Sequence, residues 1–341
     1  MAQINKSSDY FNTVLYTGNG STQSIDGVGF QPDWVWTKSR SNAYDHKLYD
    51  SVRGANLRLL SNSTGAETTQ TEDLKSFDTD GFTLGNDGGI NGSGITFASW
   101  NWLAGGTASS NTDGSITSQV SANTTSGFSI VSYTGTGSNA TIGHSLGVAP
   151  KVVLVKNRDG VDVWVMQHGS LADNEFLEFN GTAGKQTDSA RFNGTAPTST
   201  VFSVGTSGTT NGNTEKFIAY CFAEKKGFSK AFSYTGNGST DGSFTYLGFR
   251  PAWILIKRTD STADWLLHDN KRIGYNPENY YFQANLSDSE GSATPRIDFL
   301  SNGFKLKTTS TAYNASGGSY IGIAFAENPI VGSNGVPSCA R

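Results

Sequence analysis

Few residues of this chain are of the types that do chemistry, and none has the spacing of a known reactive site. Zinc needs clustered cysteine or histidine ligands. The candidates are scattered along the sequence: His46, His144, His168, His268, Cys221 and Cys339. The sequence also lacks a Gly-x-Ser-x-Gly motif and any cysteine–histidine pairing that would indicate a catalytic nucleophile. We therefore predict a protein that is not an enzyme and that holds no cofactor and no metal.

Carboxylates are the remaining candidates for catalysis, because glycosidases need two of them on facing surfaces. Acidic residues are plentiful, for example Asp50, Glu67, Asp73 and Asp269. The sequence alone leaves open whether two of them meet in space. No carboxylate stands at one position shared by all the repeats described below, so a polysaccharide depolymerase is the function that we favour least.

Tryptophans raise the alternative of glycan binding, since aromatic rings can stack on sugars beside polar donors. The candidates lie in apolar runs: Trp34, Trp36, Trp164, Trp253 and Trp265. Strand positions in such runs are more typical of core packing. We expect these side chains in the core, and a host surface glycan stays an alternative partner with no contact residue assigned.

Composition indicates a folded protein made of many short strands. Charged residues make up 16% of the chain, below the quarter that is typical of globular proteins. Aromatic residues reach 12% and there are 41 glycines, which suits strands and the turns between them. The net charge is −4 and there is no Lys/Arg run, so we expect no nucleic-acid partner. We also expect no signal peptide and no membrane insertion, because no long apolar segment occurs.

Three landmarks recur in the same order along the chain, which indicates internal repeats. The first is Tyr-Thr-Gly-x-Gly-Ser, at residues 16–21, 133–138 and 234–239. The second is Gly-x-x-Pro followed by an apolar run and a lysine, at residues 29–38, 147–156 and 248–257. The third is an aromatic-rich closing segment, at residues 97–102, 217–222 and 320–325.

Each landmark favours strands joined by tight turns. The glycines of the first can take positive φ in a turn, and the proline of the second suits a strand entrance. The apolar run after that proline predicts a strand buried on both faces. The dipeptides Asp80-Gly81 and Asn302-Gly303 predict hairpin turns. The predicted fold class is all-β, with three tandem copies of an antiparallel β-sandwich or jelly-roll-like domain.

The closing segment has one bulky face and one small face, because successive side chains of a strand point to opposite sides. The bulky face, for example Trp100 and Trp102 in the first repeat, should pack between the two sheets of its repeat. The small face should allow close packing between domains or between subunits. Its members are Ser99, Asn101, Ala219, Cys221, Gly322 and Ala324.

The repeats set the predicted domain boundaries. We place a first repeat with an N-terminal arm at residues 1–106, a Gly/Ser/Thr-rich linker at 107–126, a second repeat at 127–227, a third at 228–329 and a C-terminal tail at 330–341. The linker is expected to be a flexible spacer in which residues 114–120 could add a short strand. The first repeat should stand apart behind it. The tail is either an ordered arm or a frayed end.

The landmarks resemble those of repeat modules in virion proteins of marine tailed bacteriophages, such as cyanophages. The resemblance rests on residues 8–21, 29–36 and 80–84 and on the Phe-Ala-Glu endings at 222–224 and 325–327. It covers nearly the whole chain. Such modules are mostly described as uncharacterised, tail-fibre-like or structural, so the resemblance implies a virion structural protein and assigns no site residues.

The leading hypothesis is therefore a non-enzymatic structural component of a tailed-phage virion, assembled in the host cytoplasm. It would be a tail fibre, an appendage or another surface-displayed protein that contacts the host. The alternatives are a capsid decoration (cement) protein and a host-glycan-binding module. We expect other virion proteins as partners, at the tail, near the portal or on the capsid. By analogy with phage appendages we also expect a homo-oligomer, with a trimer favoured.

Overall fold

The computed structural model describes residues 4–292 and 295–328, together with the backbone of residues 330–331 and 337–338. It is an all-β structure of antiparallel sheets with a few helices of one turn. A 3₁₀-helix at Ser7–Asp9 precedes the first strand. The first repeat then contains, in chain order, β1 (Phe11–Thr17), β2 (Gln23–Asp26), β3 (Trp34–Ser39), β4 (Lys47–Asp50), β5 (Gly54–Leu60), β6 (Thr68–Thr69), β7 (Leu74–Asp78), β8 (Gly81–Leu84), α1 (Gly88–Asn91) and β9 (Thr96–Trp102).

The second repeat and the segment before it contain ten strands and two helices. They are β10 (Ser109–Asn111), β11 (Ser118–Asn123), β12 (Phe128–Thr134), β13 (Ala140–Gly143), β14 (Val152–Asn157), β15 (Val165–His168), β16 (Glu175–Glu178), β17 (Gln186–Thr187), α2 (Ser189–Phe192), β18 (Val201–Val204), α3 (Gly208–Asn211) and β19 (Lys216–Phe222).

The third repeat follows after a short turn. Its elements are β20 (Ser229–Thr235), β21 (Phe244–Tyr246), β22 (Pro251–Arg258), β23 (Leu266–Asp269), β24 (Tyr280–Gln283), β25 (Gly291–Ser292), β26 (Ile297–Leu300), β27 (Gly303–Leu306), α4 (Thr311–Asn314) and β28 (Ser319–Ala326). A two-stranded ladder of β29 (Ile330–Val331) and β30 (Pro337–Ser338) lies in the tail. Within the described residues, no helix has the length and apolar character needed to cross a membrane.

Each repeat contributes one large antiparallel sheet, and the strand order is the same in all three. It is β1-β9-β3-β4-β5-β6 in the first repeat, β12-β19-β14-β15-β16-β17 in the second and β20-β28-β22-β23-β24-β25 in the third. A smaller sheet accompanies each one: β2-β8-β7, β13-β18 and β21-β27-β26. The predicted hairpins at Asp80-Gly81 and Asn302-Gly303 are confirmed as β7–β8 and β26–β27. The landmarks keep their order because their strands occupy the same places in the three sheets.

The two glycines of the Tyr-Thr-Gly-x-Gly-Ser landmark have different roles. A Cβ atom on Gly18 would collide with the carbonyl oxygen of Gly92, so this position needs a residue without a side chain. Gly20 has φ +74°, a conformation that favours glycine. The corresponding glycines of the second and third repeats show the same division. Only the second glycine of each pair therefore uses the positive φ that we predicted for both.

An asparagine before each closing strand holds this turn in place. In the first repeat, Asn91 Oδ1 accepts a hydrogen bond from the backbone N–H of Asn19 at 3.0 Å, and Nδ2 donates to the backbone oxygen of Ser21. Asn211 and Asn314 make the same pair of bonds in the second and third repeats. Each asparagine is fully buried, so these bonds satisfy polar backbone groups that would otherwise be unpaired.

The bulky faces of the closing strands meet in one apolar core that all three repeats share. Its members on these strands are Ala98, Trp100, Trp102, Ile218, Tyr220, Phe222, Ile321, Ile323 and Phe325. Rings of different repeats touch: the centroids of Trp34 and Tyr220 are 4.4 Å apart, and those of Trp102 and Phe325 are 5.6 Å apart. We expected this face to pack within its own repeat, and that expectation is wrong. Large rings fill the space where three sheets converge, while the small face allows the repeat's own small sheet to approach closely.

Residues 107–126 differ from the expected flexible spacer. β10 pairs with β11 and β11 pairs with β12, so these residues extend the large sheet of the second repeat to eight strands. The buried side chains of Ile116 and Val120 anchor them in the core of that repeat. The first repeat does not stand apart either, because its tryptophans belong to the shared core. Two apolar residues in a polar stretch were enough to order it.

Candidate functional site

The small face of the closing strands lies inside the chain. All six of its residues are buried: Ser99, Asn101, Ala219, Cys221, Gly322 and Ala324. Ala219 and Cys221 pack with Phe202 of the small sheet in the second repeat. Burial raises the pKa of the Cys221 thiol to about 12, so it stays protonated and unreactive. In this structure the face contacts its own repeat and presents no surface to another subunit. Cys339 lies outside the described residues.

The five candidate tryptophans are core residues. Each is at most 2% exposed: Trp34, Trp36, Trp164, Trp253 and Trp265. Two of them join neighbouring repeats through the indole N–H. Nε1 of Trp164 donates to the backbone oxygen of Leu60 at 2.9 Å, and Nε1 of Trp265 donates to that of Glu178 at 3.0 Å. None of the five therefore offers an open ring face for a sugar.

A buried ion pair of the first repeat is hydrogen-bonded to the second repeat. Asp50, the last residue of β4, accepts a hydrogen bond from Tyr220 Oη on β19 at 2.7 Å. Nε of Arg53 donates to the same carboxylate, and both side chains are fully buried. Burial disfavours the charged guanidinium, but Asp50, Tyr220 and Glu67 around it raise the pKa of Arg53 above its ordinary value. The guanidinium stays charged, so removal of its carboxylate partner would leave a buried charge unpaired.

Glu67 extends this network across the contact. Its carboxylate accepts from Nη1 of Arg53 at 3.1 Å and from Nε and Nη2 of Arg158 in the second repeat, at 2.9 Å and 2.8 Å. Burial would raise the pKa of this carboxyl, but the bonds from Arg158 and Arg53 lower it overall. The backbone N–H of Glu67 also donates to the backbone oxygen of Arg158 at 2.8 Å. A chain of aspartate, arginine, glutamate and arginine thus crosses from one repeat to the next.

The same four-residue chain joins the third repeat back to the first. Trp100 Nε1 donates to Asp269 Oδ2 at 3.0 Å, and Nε of Arg272 donates to the same oxygen at 2.7 Å. Glu290 accepts from Nη1 of Arg272 at 3.3 Å and, with both carboxylate oxygens, from Arg40 of the first repeat. Strand pairing places Asp269 in β23 at the position that an aspartate also occupies in β4. Two of the three contacts between repeats therefore contain the same chain of aspartate, arginine, glutamate and arginine.

The contact between the second and third repeats has the same backbone hydrogen bond as the other two contacts, but the Asp–Arg–Glu–Arg chain is replaced by other residues. Lys185 N–H donates to the backbone oxygen of Thr259 at 2.7 Å, as glutamate does to arginine in the other two contacts. On the closing strand, Ile323 lies where the other contacts have Tyr220 or Trp100, and it has no side-chain hydrogen-bond donor. His168 lies at the position of the aspartate. His168 Nε2 lies 3.1 Å from the backbone oxygen of Gly322. The contacts run from first to second, second to third and third to first, which is a closed cyclic order.

The landmark lysines also mark contacts between repeats. Lys38, Lys156 and Lys257 are buried, and burial lowers the pKa of each to about 8. Nζ of Lys156 donates to the backbone oxygen of Thr64 in the first repeat, and Nζ of Lys257 donates to that of Thr182 in the second. In the first repeat, Nζ of Lys38 donates to the backbone oxygen of Ser39 and lies 5.4 Å from the ring centroid of Phe282 in the third repeat. Each landmark lysine therefore contacts a neighbouring repeat.

The carboxylates that could have formed a hydrolytic pair are each held by cations. Asp50, Glu67 and Asp269 belong to the networks above, and Asp73 accepts from Lys47 and Arg58. Within residues 4–292 and 295–328, no group of three or more histidine, cysteine, aspartate or glutamate side chains is arranged to hold a metal ion. The arrangement of these carboxylates therefore serves to join repeats and to fill the core of the first repeat.

A polar cleft of about 300 Å³ lies where the third repeat meets the first. The start of β1, the end of β28 and the residues after β23 line it. The polar side chains at its wall include Asn12, Thr13, Asn270, Lys271, Glu327 and Asn328. Amides, a hydroxyl, an ammonium and a carboxylate can bind a small polar ligand through hydrogen bonds.

Sequence reasoning missed these contacts, although part of the signal was visible. The pattern Asp-x-x-Arg occurs at equivalent places at residues 50–53 and 269–272, whereas the second repeat has it at a different place, residues 188–191. No carboxylate position is therefore shared by all three repeats. The glutamate–arginine pairs gave no signal, because their members are 91 and 250 residues apart in the chain. Only the closed arrangement of the repeats brings them together.

A family model described as "Domain of unknown function (DUF7483)" matches residues 6–329. The chain belongs to this family. The match begins before β1 and ends after β28, so the DUF7483 domain takes in all three repeats and the contacts that close them. No curated protein and no solved structure matches the chain.

Proposed function

We propose that this chain is a non-enzymatic structural component of a tailed-phage virion, built from three copies of one β-sandwich or jelly-roll-like module. It acts as a tail fibre, an appendage or another surface-displayed protein, and its partners are other virion proteins. The observation that carries the proposal is the closed cyclic order of contacts between the repeats. Three sheets around one apolar core form a stiff body that suits attachment and display.

The state of the reactive side chains supports a structural role. The Cys221 thiol is buried and protonated, and the carboxylates Asp50 and Asp269 are held in buried ion pairs with Arg53 and Arg272 of their own repeats. Groups in this state are poorly placed to act on a substrate. Cyclic symmetry is common in phage appendages, and a chain with three equivalent sheets in cyclic order suits such partners. A homo-oligomer, with a trimer favoured, remains part of the proposal.

One observation favours capsid decoration as the second candidate. The residues just before β1 and just after β28 meet at one corner of the body: Ser7 Oγ donates to the backbone oxygen of Glu327 at 3.1 Å, and Ser8 N–H donates to Asn328 Oδ1 at 3.0 Å. Both ends of the repeat array therefore leave the body on the same side. Attachment through one corner suits a single displayed body better than a rod made of modules in series.

Quantitative mass spectrometry of purified virions tests the proposal and separates its two forms. The particles are taken from the phage whose genome encodes the chain, and the chain is quantified against the major capsid and tail proteins. A copy number that follows the tail proteins supports a fibre or appendage, and one that follows the capsid protein supports decoration. Absence of the chain from purified particles that contain all other structural proteins would overturn the proposal.

A further inference from the structure

The outer edge of the small sheet in the third repeat carries two exposed aromatic side chains. β21 is the edge strand of this sheet and pairs with β27. Its residues Phe244 and Tyr246 are 45% and 49% exposed, whereas most large apolar side chains of the chain are buried. An edge strand with unpaired backbone groups and apolar side chains is a ready template for pairing with another chain. This edge is therefore a candidate interaction surface.

The backbone of these two residues points away from its own sheet. The N–H of Leu247, the residue after β21, donates to the backbone oxygen of Asn302 at 2.9 Å. Backbone bonds of an antiparallel strand alternate between its two sides, so the N–H and C=O groups of Phe244 and Tyr246 face outward. Nζ of Lys230 donates to the oxygen of Tyr246 at 2.9 Å. Among the described residues, the other three outward groups accept or donate no hydrogen bond.

The second repeat shows what covers such an edge. Thr141 and Gly143 of β13 occupy the places of the two aromatic residues of β21. The N–H of Thr141 donates to Ser115 Oγ at 2.9 Å, and its C=O accepts from the N–H of Ile116 at 3.0 Å. Ser118 Oγ donates to the oxygen of Gly143 at 3.0 Å. An extended segment that runs parallel to β13 therefore satisfies the outward groups of this edge.

The third repeat has no such cover. Residues 223–228 join it directly to the second repeat, so no linker precedes its first strand. In the first repeat the same two edge positions hold Ser24 and Asp26, and a polar or charged edge is a common protection against pairing. Of the three small-sheet edges in the described part of the chain, β21 alone is both uncovered and aromatic.

Charge beside the edge favours an acidic occupant. Lys305, which lies next to Phe244 on β27, is paired with Asp241. Within the described residues Lys230 forms no salt bridge. Its ammonium contacts the oxygen of Tyr246 and lies 5.3 Å from the centroid of that ring. A carboxylate on the occupant would supply the missing partner.

A second copy of the chain suits this edge less well than a single extended segment does. Two β21 strands related by a two-fold axis would bring Lys230 of both copies to the same pair of strands, where like charges repel. Stable interfaces between folded proteins also bury about 1,200–2,000 Å², and two half-exposed rings are a small patch by that measure. Strand addition needs less area, because main-chain hydrogen bonds provide much of the affinity.

We propose that the outer edge of β21 binds an extended segment of a partner protein, which adds a strand to the small sheet of the third repeat. The segment pairs with the backbone of Phe244 and Tyr246, packs an apolar side chain on their rings and places an acidic side chain beside Lys230. The inference goes beyond the proposed function and does not depend on it, since the edge has the same geometry whatever the partner.

A synthetic peptide of residues 111–119, Asn-Thr-Asp-Gly-Ser-Ile-Thr-Ser-Gln, is the probe. It contains the hydroxyl residues that cover β13, an apolar residue and an acid. The peptide is titrated to about 2 mM, which covers weak affinities near 1 mM, and amide exchange of the full chain is followed by NMR. The amides of Phe244 and Tyr246 should exchange more slowly with peptide. The amide of Thr245, which faces β27, should be slow with or without it.

Two variants of the edge should lose this binding. The double variant Phe244→Ser, Tyr246→Asp gives β21 the residues that the first repeat has at these positions, and it should weaken peptide binding at least about tenfold. Phe244→Pro removes an outward N–H and keeps the bonds to β27, as edge strands tolerate, and it gives an independent test if the double variant does not fold. Val161→Ser removes a side chain that is 78% exposed elsewhere and should leave binding unchanged.

Three results would overturn the proposal. The first is exchange at Phe244 and Tyr246 that the peptide does not slow at the highest concentration. The second is peptide binding that survives both edge variants. The third is sedimentation of the full chain as a dimer that the double variant converts to a monomer, because a second copy would then be the occupant. None of these results bears on whether the chain is found in virions, which mass spectrometry decides separately.

Discussion

At the scale of single residues, His168 links the stability of the protein to pH. Burial lowers its pKa to about 4 from an ordinary value of 6.5, because an imidazolium in the core would lose its hydration. The neutral folded form contributes stability that is fully present above pH 6.5 and is lost as the pH falls toward 4. The loss for this one residue amounts to about 3 kcal/mol.

His168→Gln should flatten this dependence, because glutamine can donate to the Gly322 backbone oxygen and does not titrate. We expect wild type and variant to differ by a constant amount above pH 7, and the variant to gain about 2–3 kcal/mol on wild type between pH 6.5 and 4. Urea unfolding at several pH values measures it. His46 and His268 also have lowered pKa values, and they cancel in the comparison. Parallel curves for the two proteins across this window would contradict the assignment.

Glu278 gives an opposite dependence near the cleft. It is 1% exposed, and within the described residues neither carboxylate oxygen has a hydrogen-bond partner. Burial raises its pKa to about 8, with a further increase from Asp269 and a partial decrease from Arg250 and Arg272. A raised carboxyl pKa means that ionisation costs more in the folded state than in the unfolded state. The protein therefore loses stability as the pH rises from about 4.5 to about 8.

Glu278→Gln should remove this cost. The variant and wild type should unfold with similar free energies at pH 4, where the carboxyl is protonated in both states. At pH 9 the variant should be more stable by about 2–4 kcal/mol. Thermal unfolding at the two pH values measures the difference, and Asp173→Asn, which changes an exposed acid on the second repeat, serves as the control. A variant that is less stable than wild type at pH 9 would show that Glu278 has an ionic partner.

At the scale of elements, the strands were predictable and the faces they present to one another were not. The signals for these strands are local: a proline at the strand entrance, the apolar run after it, and the Asp-Gly turn. The structure has β3, β14, β22 and the β7–β8 hairpin at the predicted places. The closing strand had two faces that could each pack. Which one meets another repeat depends on how three sheets converge, which no local pattern specifies.

The contacts between repeats were hidden for the same reason. The cleft was equally invisible, since its walls come from residues 8–13, 252, 270–271 and 326–328. Orphaned polar atoms such as Thr13 Oγ1 can be recognised only once burial is known. The sequence did indicate that the tryptophans belong to the core, because they lie in apolar runs, and a strand in such a run is buried on both faces.

The hydrogen bond between β9 and β23 is the best test at this scale, because it closes the third contact without a covalent link. A double-mutant cycle with Trp100→Phe and Asp269→Asn should give a coupling energy of about 1–2 kcal/mol, since the first change removes the donor of the bond from Nε1 to Oδ2 and the second removes the charge of its acceptor. Chemical unfolding of the four proteins measures it. The control cycle pairs Asp269→Asn with Trp164→Phe, whose indole donates to Leu60, and it should be additive within about 0.5 kcal/mol. Additivity in both cycles would contradict the contact.

At the scale of the whole molecule, the repeats form one body. The shared core contains side chains of all three repeats, and the contacts return from the third repeat to the first through Asp269 and Trp100. A chain that closes on itself supplies from one polypeptide the cyclic arrangement that many assemblies obtain from several copies. Attachment and display can then lie at different corners of one unit.

Small-angle X-ray scattering on the monomer fraction tests this closure most directly. A compact body of 341 residues should have a radius of gyration of about 20 Å by the scaling of folded domains. Three separate modules of roughly a hundred residues in a row would give about 30 Å by the same scaling. We expect the smaller value, unchanged between low and high salt because the apolar core holds the repeats together. A radius near 30 Å would contradict it.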